Sequence, residues 1–285
     1  MEPGLYRNEK LIIPWNKLCH IEDVFGKFSF MHDLMGEILE NNGALPTDTL
    51  VLRENIKSIP SDIFTDIELD TVVIQNGTID ICREAFFEAK IKHVILPNTL
   101  QYIDYSAFWN SFIEEIDIPD IIKLIPKDCF AECLNLKKVK LPKDLEIIAY
   151  SAFRNCEKLE EINIPKSVYR IGGCAFEGCK GLKEIILPEN LERLEECAFC
   201  NCNIKKFTIP KKVKFLDAFI DKDKKDIKIF MNKEMIKDLE DIASDDFIDL
   251  NSCYIINMKS LDDLLDEGKS FKQINEIYKE IGQEL

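Results

Sequence analysis

The sequence predicts an α/β repeat solenoid, a curved stack of short parallel strands whose convex side is irregular or 3₁₀. The prediction rests on two residues that recur with the same period. A phenylalanine recurs at spacings of 22, 22, 22, 23, 23 and 23 residues, and a proline closes an apolar run in each of six later periods. A period of about 20–50 residues is typical of stacked repeats, so it decides the architecture. The phenylalanines are Phe64, Phe86, Phe108, Phe130, Phe153, Phe176 and Phe199, and the prolines are Pro97, Pro119, Pro142, Pro165, Pro188 and Pro210.

Each repeat has a strand-like half and a turn-like half, as residues 152–169 show. Ile162 and Ile164 alternate with polar residues, which is typical of a short strand with one buried face. Pro165 ends that strand because proline has no N–H for a continuing ladder. The looser apolar spacing from 168 to 176 favours a turn or a short 3₁₀ segment.

The repeat consensus resembles a known family. Residues 175–188 read AFEGCKGLKEIILP, which is similar to the A-F-x-x-C-x-x-L-x-x-I-x-I-P hallmark of BspA-type leucine-rich repeats. Gly4-Leu5-Tyr6 followed by residues 11–18 is similar to a lead-in that precedes such repeats in bacterial proteins, with Pro14 where serine is usual. The resemblance spans residues 47–220 and implies a leucine-rich repeat solenoid. It also implies a non-enzymatic binding protein, often a bacterial surface or secreted adhesin.

Regions that break the phase flank the repeats and predict caps, which a solenoid needs at its ends. The spacing of apolar residues over 29–39 favours an amphipathic helix lying on the first repeat. At the other end we expect a strand at 227–230, a helix from Asn232 to about residue 243 and an amphipathic helix from Ser260 toward Ile281. The predicted regions are a helical N-terminal cap at 1–46, repeats at 47–220 and an acidic α/β C-terminal cap at 221–285.

Cysteines recur at one repeat position, three residues after the marker phenylalanine. The same position holds Ala89 and Ser111 in earlier repeats, so it favours a small residue that tolerates burial, and free cysteine behaves this way. Adjacent strands lie about 4.8 Å apart, inside the window of ~4.4–6.8 Å between Cα atoms in a disulfide, so distance does not exclude bridges between repeats. These cysteines are Cys133, Cys156, Cys179 and Cys202.

A zinc site is the sharper hypothesis for Cys197, Cys200 and Cys202. Cys197 and Cys202 repeat the positions of earlier cysteines, so only Cys200 lies outside the pattern. A Cys-x-x-Cys pair needs a second pair of Cys or His ligands, and the histidines are far away in sequence. We therefore expect a structural role, with no metal and no cofactor.

The charge balance argues against several kinds of partner. The chain has 37 Lys and Arg against 52 Asp and Glu, a net charge of −15 that would repel a nucleic-acid backbone. No run approaches the ~18–20 apolar residues of a membrane span, so we expect no membrane insertion. Charges in the N-terminal stretch argue against a signal peptide and favour a cytoplasmic location by default, although the family resemblance allows the cell surface or secretion.

The predicted binding site is the concave strand side, where alternate side chains point outward. The residues assigned to it are Thr71, Val73, His93, Ile95, Glu115, Asp117, Lys138, Lys140, Glu161, Asn163, Glu184 and Lys206. Opposite charges at 115, 138 and 161 fit a self-neutralising ladder or a polar docking surface. Val51, Val73 and Ile95 predict an exposed aliphatic stripe, unless the N-terminal cap covers it.

Catalytic motifs do not support an enzyme. The sequence has no G-x-S-x-G, glycine-rich phosphate loop or HExxH, and Gly172-Gly173 fits a tight turn between repeats. The expected function is protein–protein interaction with an unidentified partner, by resemblance of the bacterial adhesion or host-interaction type. The alternative is an intracellular scaffold or regulatory binding subunit.

Overall fold

The computed structural model describes residues 2–14, 36, 39–54, 56–213, 215–216, 228–232 and 254–258. In chain order its strands are β1 (Gly4–Arg7), β2 (Lys10–Pro14), β3 (Thr49–Val51), β4 (Ser58–Ile59), β5 (Glu68–Val73), β6 (Asp80–Ile81), β7 (Lys90–Ile95), β8 (Tyr102–Ile103), β9 (Glu115–Asp117), β10 (Leu124–Ile125), β11 (Lys138–Lys140), β12 (Ile147–Ile148), β13 (Glu161–Ile162), β14 (Arg170–Ile171), β15 (Arg193–Leu194), β16 (Lys206–Thr208), β17 (Phe215–Leu216), β18 (Lys228–Asn232) and β19 (Tyr254–Met258). Strands from successive repeats pair in parallel, which confirms the predicted parallel-strand solenoid.

One long sheet contains eight strands in the order β13-β11-β9-β7-β5-β3-β1-β2. Its repeat strands pair at an offset of one repeat, for example Val72 with Val94 and Val139 with Ile162. These valines and isoleucines are buried, while the residues on either side of them are exposed or half-buried. The alternation predicted from the sequence therefore sets which face of the long sheet is internal.

The second half of each repeat contributes a two-residue strand to a shorter sheet. β10, β12, β14, β15 and β17 form one such sheet, and β4, β6 and β8 form another. In seven of these two-residue strands the second residue is buried and the first points outward. They are β4, β6, β8, β10, β12, β14 and β15. The hydrophobic core lies between these short strands and the long sheet.

The marker phenylalanines form a continuous stack along the core. From Phe64 to Phe199 their ring centroids are 4.6–5.3 Å apart and their planes differ by 2–15°. Each ring is enclosed by a tight turn with positive φ two residues before and two residues after it, as at Ser106 (55°) and Asn110 (53°) around Phe108. Short polar residues tolerate this left-handed conformation, which explains Asp, Asn and Ser at many of these positions.

The N-terminal residues form a β-hairpin that the sequence did not predict. β1 and β2 pair antiparallel, and Asn8 and Glu9 have positive φ, as in two-residue hairpin turns. β1 also pairs antiparallel with β3, so the hairpin extends the long sheet past the first repeat. The predicted helix at 29–39 falls mostly outside the described residues; within it, Gly36 and Leu39 are helical and Leu39 is buried. A purely helical cap is therefore an incomplete description of this end.

Parallel stacking continues beyond residue 220. β18 pairs with β16, and β19 pairs with β18, both in parallel. β18 matches the strand predicted at 227–230 but continues to Asn232, so the residue predicted to begin a helix ends a strand. The rest of that helix, and the helix predicted at 260–281, lie outside the described residues. The limits of the three sequence regions stay predictions.

Candidate functional site

Most of the predicted binding residues lie on the outer face of the long sheet, here called the long-sheet face. Thr71, His93, Glu115, Lys138 and Glu161 follow one another in register across five strands. A second row joins Val73 to Ile95, and Asp117 to Lys140. Asn163 follows β13 directly, Glu184 lies outside any strand, and Lys206 begins β16 in a separate three-stranded sheet. Eight of the twelve are exposed, and Thr71, Val73, His93 and Lys206 are half-buried.

The aliphatic stripe on this face is shorter than predicted. Val51 is completely buried, whereas Val73 is half-buried and Ile95 is 54% exposed. Val51 lies on β3, which pairs with the N-terminal hairpin. Of the two alternatives, an exposed stripe does not extend to Val51, and the remaining stripe is Val73 and Ile95, beside Thr71 and His93.

Charges on the long-sheet face are only partly neutralised by one another. Lys140 lies 3.7 Å from Asp117, but both side chains are more than two-thirds exposed, so solvent screens this pair. No ion pair joins Lys138 to Glu115 or to Glu161, although the backbone places all three in register. The long-sheet face therefore has one weak ion pair, Asp117–Lys140, and a separate row of charged groups that face solvent.

Shorter ion pairs are formed by the residues that come one position earlier in the chain than the residues of the long-sheet face. Lys137 contacts Glu114 at 2.6 Å and Lys92 contacts Asp70 at 3.1 Å. The hydrogen bond from Lys137 lowers the pKa of Glu114. For Asp70, burial raises the pKa, but hydrogen bonds from Lys92 and Thr71 outweigh burial and leave the pKa below its usual value. These pairs link adjacent repeats and border the face.

A second set of exposed apolar side chains, which the sequence reasoning missed, lies on the short strands and the turns that follow them. Tyr102, Leu124 and Ile147 begin β8, β10 and β12, and Tyr105 and Tyr150 lie in the turns after β8 and β12. These five residues are here called the short-strand patch. Tyr102 is 66% exposed, Tyr150 52% and Leu124 45%, while Ile147 is half-buried beside Leu124 in the sheet. Arg83 lies 4.8 Å from the centre of the Tyr105 ring, a distance typical of a cation–π contact.

A comparison of equivalent positions would have revealed this patch. Six residues before the marker phenylalanine, the first and last repeats carry Ser58, Asp80, Arg170 and Arg193, whereas the middle three carry Tyr102, Leu124 and Ile147. The fold therefore does not require an apolar residue there. Exposed apolar patches often mark interaction sites.

The described cysteines include a buried row that recurs in the repeats and one bonded pair. Cys133, Cys156, Cys179 and Cys202 are buried free thiols, as predicted, and each donates a hydrogen bond to the phenylalanine carbonyl of the preceding repeat at 3.0–3.1 Å. Cys197 and Cys200 form a disulfide within one turn. Among the described residues, no group of three or more His, Cys, Asp or Glu is arranged to hold a metal ion.

No helix in the described ranges combines the length and the apolar character that a bilayer span demands.

Among the solved structures that match this chain, a bacterial leucine-rich repeat protein has a similar fold. It comes from Bacteroides ovatus and is 23% identical, with a TM-score of 0.57, and the match covers 65% of this chain and 49% of that chain. A Treponema pallidum leucine-rich repeat protein is 20% identical (TM-score 0.43, 69% and 83% covered). A leucine-rich cell surface protein from Faecalibacterium prausnitzii is 19% identical (TM-score 0.35, 68% and 75% covered). The chain thus spans about half the length of the Bacteroides protein.

Family membership follows from the repeats themselves. No curated protein matches the chain. The model of the BspA-type leucine-rich repeat region matches six copies, over residues 57–172 and 146–274, which is well over half of the sequence. The chain belongs to the BspA-type leucine-rich repeat family.

Proposed function

We propose that the protein is a non-enzymatic binding protein whose partner, another protein, docks on the long-sheet face. The observation that carries the proposal is the exposed side chain of Ile95, which is 54% accessible in the middle of a regular sheet. Its in-register neighbour Val73 is half-buried, and His93 and Thr71 line the same strands. A small apolar centre with polar neighbours is the usual anatomy of a protein interface.

The charged rows support a polar rim around that centre. Glu115, Lys138 and Glu161 are exposed and in register, and none of the three is tied to another by an ion pair. A partner can therefore contact them without first breaking a strong internal pair. Rim charges of this kind contribute more to orientation and association rate than to affinity.

The family supports a binding role in preference to catalysis, because leucine-rich repeat solenoids generally serve as interaction scaffolds. By resemblance to the family we propose the finer role of adhesion or host interaction at the cell surface. An intracellular scaffold would use the same face. Fractionation of the producing cells distinguishes the two, because an adhesin is recovered with surface or secreted material and a scaffold with the cytoplasmic fraction.

The docking proposal is tested with the double variant Val73→Asp/Ile95→Asp. A partner captured from extracts of the producing cells and of their surroundings is identified by mass spectrometry, purified and titrated against each variant by calorimetry. We expect the double variant to weaken binding by about 100-fold, since charges would enter the apolar centre of the interface. Circular dichroism checks that the variant is folded.

Two controls accompany this test. Ile186 occupies the equivalent outward position on a later repeat and is 79% exposed, so Ile186→Asp is expected to leave the affinity unchanged. Leu124→Asp places the same charge in the short-strand patch. Unchanged affinity in the Val73→Asp/Ile95→Asp variant, or loss of binding only with Leu124→Asp, would rule out the long-sheet face as the docking site.

A further inference from the structure

Three cysteines near the C-terminal end of the repeats occupy positions that the fold does not require to be cysteine. Cys174 and Cys197 stand two residues before their phenylalanines, where earlier repeats carry Asp62, Glu84, Ser106, Asp128 and Ser151. Cys200 follows its phenylalanine directly, where the preceding repeat has Glu177. None of the three takes part in the internal row of thiols that bind phenylalanine carbonyls.

The same three cysteines are brought together on adjacent turns. Cys197 and Cys200 are bonded to each other, and Cys174 is a free, half-buried thiol. Cys174 and Cys197 have nearly the same backbone conformation, with φ of 54° and 52°. Hydrogen bonds from Cys174 N–H to Glu196 O (2.9 Å) and from Gly178 N–H to Cys200 O (2.8 Å) join the two turns on either side.

The separation between these turns suits a disulfide. The Phe176 and Phe199 rings, which the two turns enclose, have centroids 5.2 Å apart and planes within 2° of parallel. One repeat therefore separates equivalent residues by a distance inside the window of about 4.4–6.8 Å between Cα atoms of bonded cysteines. Cys174 is thus a third sulfur beside an existing bond, and Cys197, at the equivalent position, is the nearer of the two bonded residues.

We propose that Cys174, Cys197 and Cys200 form a thiol–disulfide exchange site, in which the bond passes between Cys197–Cys200 within one turn and Cys174–Cys197 across two turns. The Cys174 thiolate attacks Cys197 Sγ, and a new sulfur–sulfur bond forms as the Cys197–Cys200 bond breaks. Cys200, which is 2% exposed, leaves as a thiolate and is reprotonated, while the proton lost by Cys174 passes to water. The numbers of thiols and disulfides do not change, so no external oxidant or reductant is consumed.

The surroundings of Cys174 determine the pH at which the exchange proceeds. Burial raises the pKa of this thiol, Glu177 and Glu196 raise it further, and a hydrogen bond with Tyr150 opposes them. The thiol is therefore protonated at neutral pH. Because only the thiolate attacks, the exchange rate rises with pH up to the raised pKa.

Trypsin distinguishes the two bonded forms. Cleavage after Arg170, Lys180, Arg193 and Lys205 gives peptide 171–180, which contains Cys174 and Cys179, and peptide 194–205, which contains Cys197, Cys200 and Cys202. A Cys197–Cys200 bond stays within one peptide, whereas a Cys174–Cys197 bond joins the two, and fragmentation of the joined peptides distinguishes it from a bond through Cys179 or Cys202. The full chain is incubated at about pH 6 or pH 9, quenched with acid, alkylated and mapped by mass spectrometry; we expect the joined peptides to form about tenfold or more faster at the higher pH.

Three variants complete the test. Cys200→Ser, treated with oxidised glutathione, is expected to form the Cys174–Cys197 bond, with glutathione as the leaving thiol. Cys174→Ser should abolish the joined peptides, and Cys82→Ser, which removes another half-buried free thiol, should leave their formation unchanged. Separate glutathione adducts on Cys174 and Cys197 in Cys200→Ser, or no joined peptides in the natural sequence at either pH, would overturn the proposal.

Discussion

The thiol of Cys156 donates a hydrogen bond to the backbone carbonyl of Phe130, one repeat earlier and 3.1 Å away. The same carbonyl also accepts a hydrogen bond from Cys133 N–H at 3.2 Å, so the cysteine supplies a second donor to a buried acceptor. Cys133, Cys179 and Cys202 make equivalent contacts. The repeated cysteine is therefore both a small core residue and a link between adjacent repeats.

Substitution Cys156→Ala is expected to lower the free energy of unfolding by about 1–2 kcal/mol, because a buried sulfur and one hydrogen bond are lost. Urea denaturation of the full chain measures the change. The neighbouring exposed Glu160→Ala should change stability by less than about 0.5 kcal/mol. Equal stability of Cys156→Ala and the natural sequence would mean that the position requires only a small side chain, as Ala89 already suggests.

The buried thiols of the repeats, such as Cys133 and Cys156, are expected to be much less reactive than the half-buried thiol of Cys174. Burial raises the pKa of Cys133 to about 12, and Cys156 is likewise fully buried with its pKa raised by burial. Iodoacetamide applied to the native protein should therefore label Cys174 about tenfold or more faster than Cys133, as measured by mapping tryptic peptides. Equal labelling rates would show that the internal row is open to solvent.

The phenylalanine stack predicts a larger stability loss than the cysteine row. Phe130 lies 5.2 Å from the Phe108 ring and 5.3 Å from the Phe153 ring, and it is completely buried. Phe130→Ala should lower the free energy of unfolding by about 3–5 kcal/mol through the lost burial, the cavity and the lost ring contacts. Phe130→Leu, which keeps most of the volume, should cost clearly less in the same denaturation measurement; equal losses would contradict a role for ring stacking.

Much of the solenoid could be predicted because its periodicity is local. The alternation around Ile162 and the spacing of the phenylalanines identify inward residues without any knowledge of long-range contacts. The hairpin of β1 and β2 could not be predicted in this way, since it lies outside the period and pairs with β3 across a long stretch of chain. Strand alternation alone could not decide whether Val51 is exposed or covered, because its strand β3 pairs with this hairpin.

Of the two candidate surfaces, one could be predicted from the sequence and the other could not. The outward residues of the long sheet follow from strand alternation, which is why Ile95 and Lys138 were assigned to that face. The short-strand patch was missed because the repeat consensus leaves its positions unspecified. Tyr102 and Leu124 are informative only when compared with Asp80 and Arg170 at the same position in other repeats.

The contact between Arg7 and Asp48 predicts a pH-dependent contribution to stability. The guanidinium donates to both carboxylate oxygens at 2.9 Å, and the Asp48 side chain is completely buried. Burial raises the pKa of Asp48, but hydrogen bonds from Arg7 and Leu45 N–H together outweigh it, so the pKa lies below its usual value. Because Arg7 is partly exposed, we expect Asp48→Asn to cost about 2 kcal/mol at neutral pH.

The direction of the pH effect follows from the lowered pKa. The stabilising effect of Asp48 is fully present above the pKa of an unfolded aspartate, about 3.9, and is lost as pH falls from there through the folded-state pKa. The stability difference between the natural sequence and Asp48→Asn should therefore be constant above about pH 5 and shrink below about pH 4. Exposed Asp66→Asn is the control in urea denaturation at each pH, and a difference that grows on acidification would contradict this account.

Two glycines are expected to respond to alanine with opposite signs. A Cβ at Gly181 would lie 2.5 Å from the backbone oxygen of Leu159 on the preceding repeat, which cannot move without disturbing the stack. Gly181→Ala should lower the free energy of unfolding by about 3 kcal/mol. A Cβ at helical Gly36 would meet Ile67 at 3.7 Å, an ordinary contact, so Gly36→Ala should raise stability by about 0.5–1 kcal/mol through its better helix propensity. Urea denaturation measures both, and a neutral Gly181→Ala would mean that adjacent repeats can separate locally at low cost.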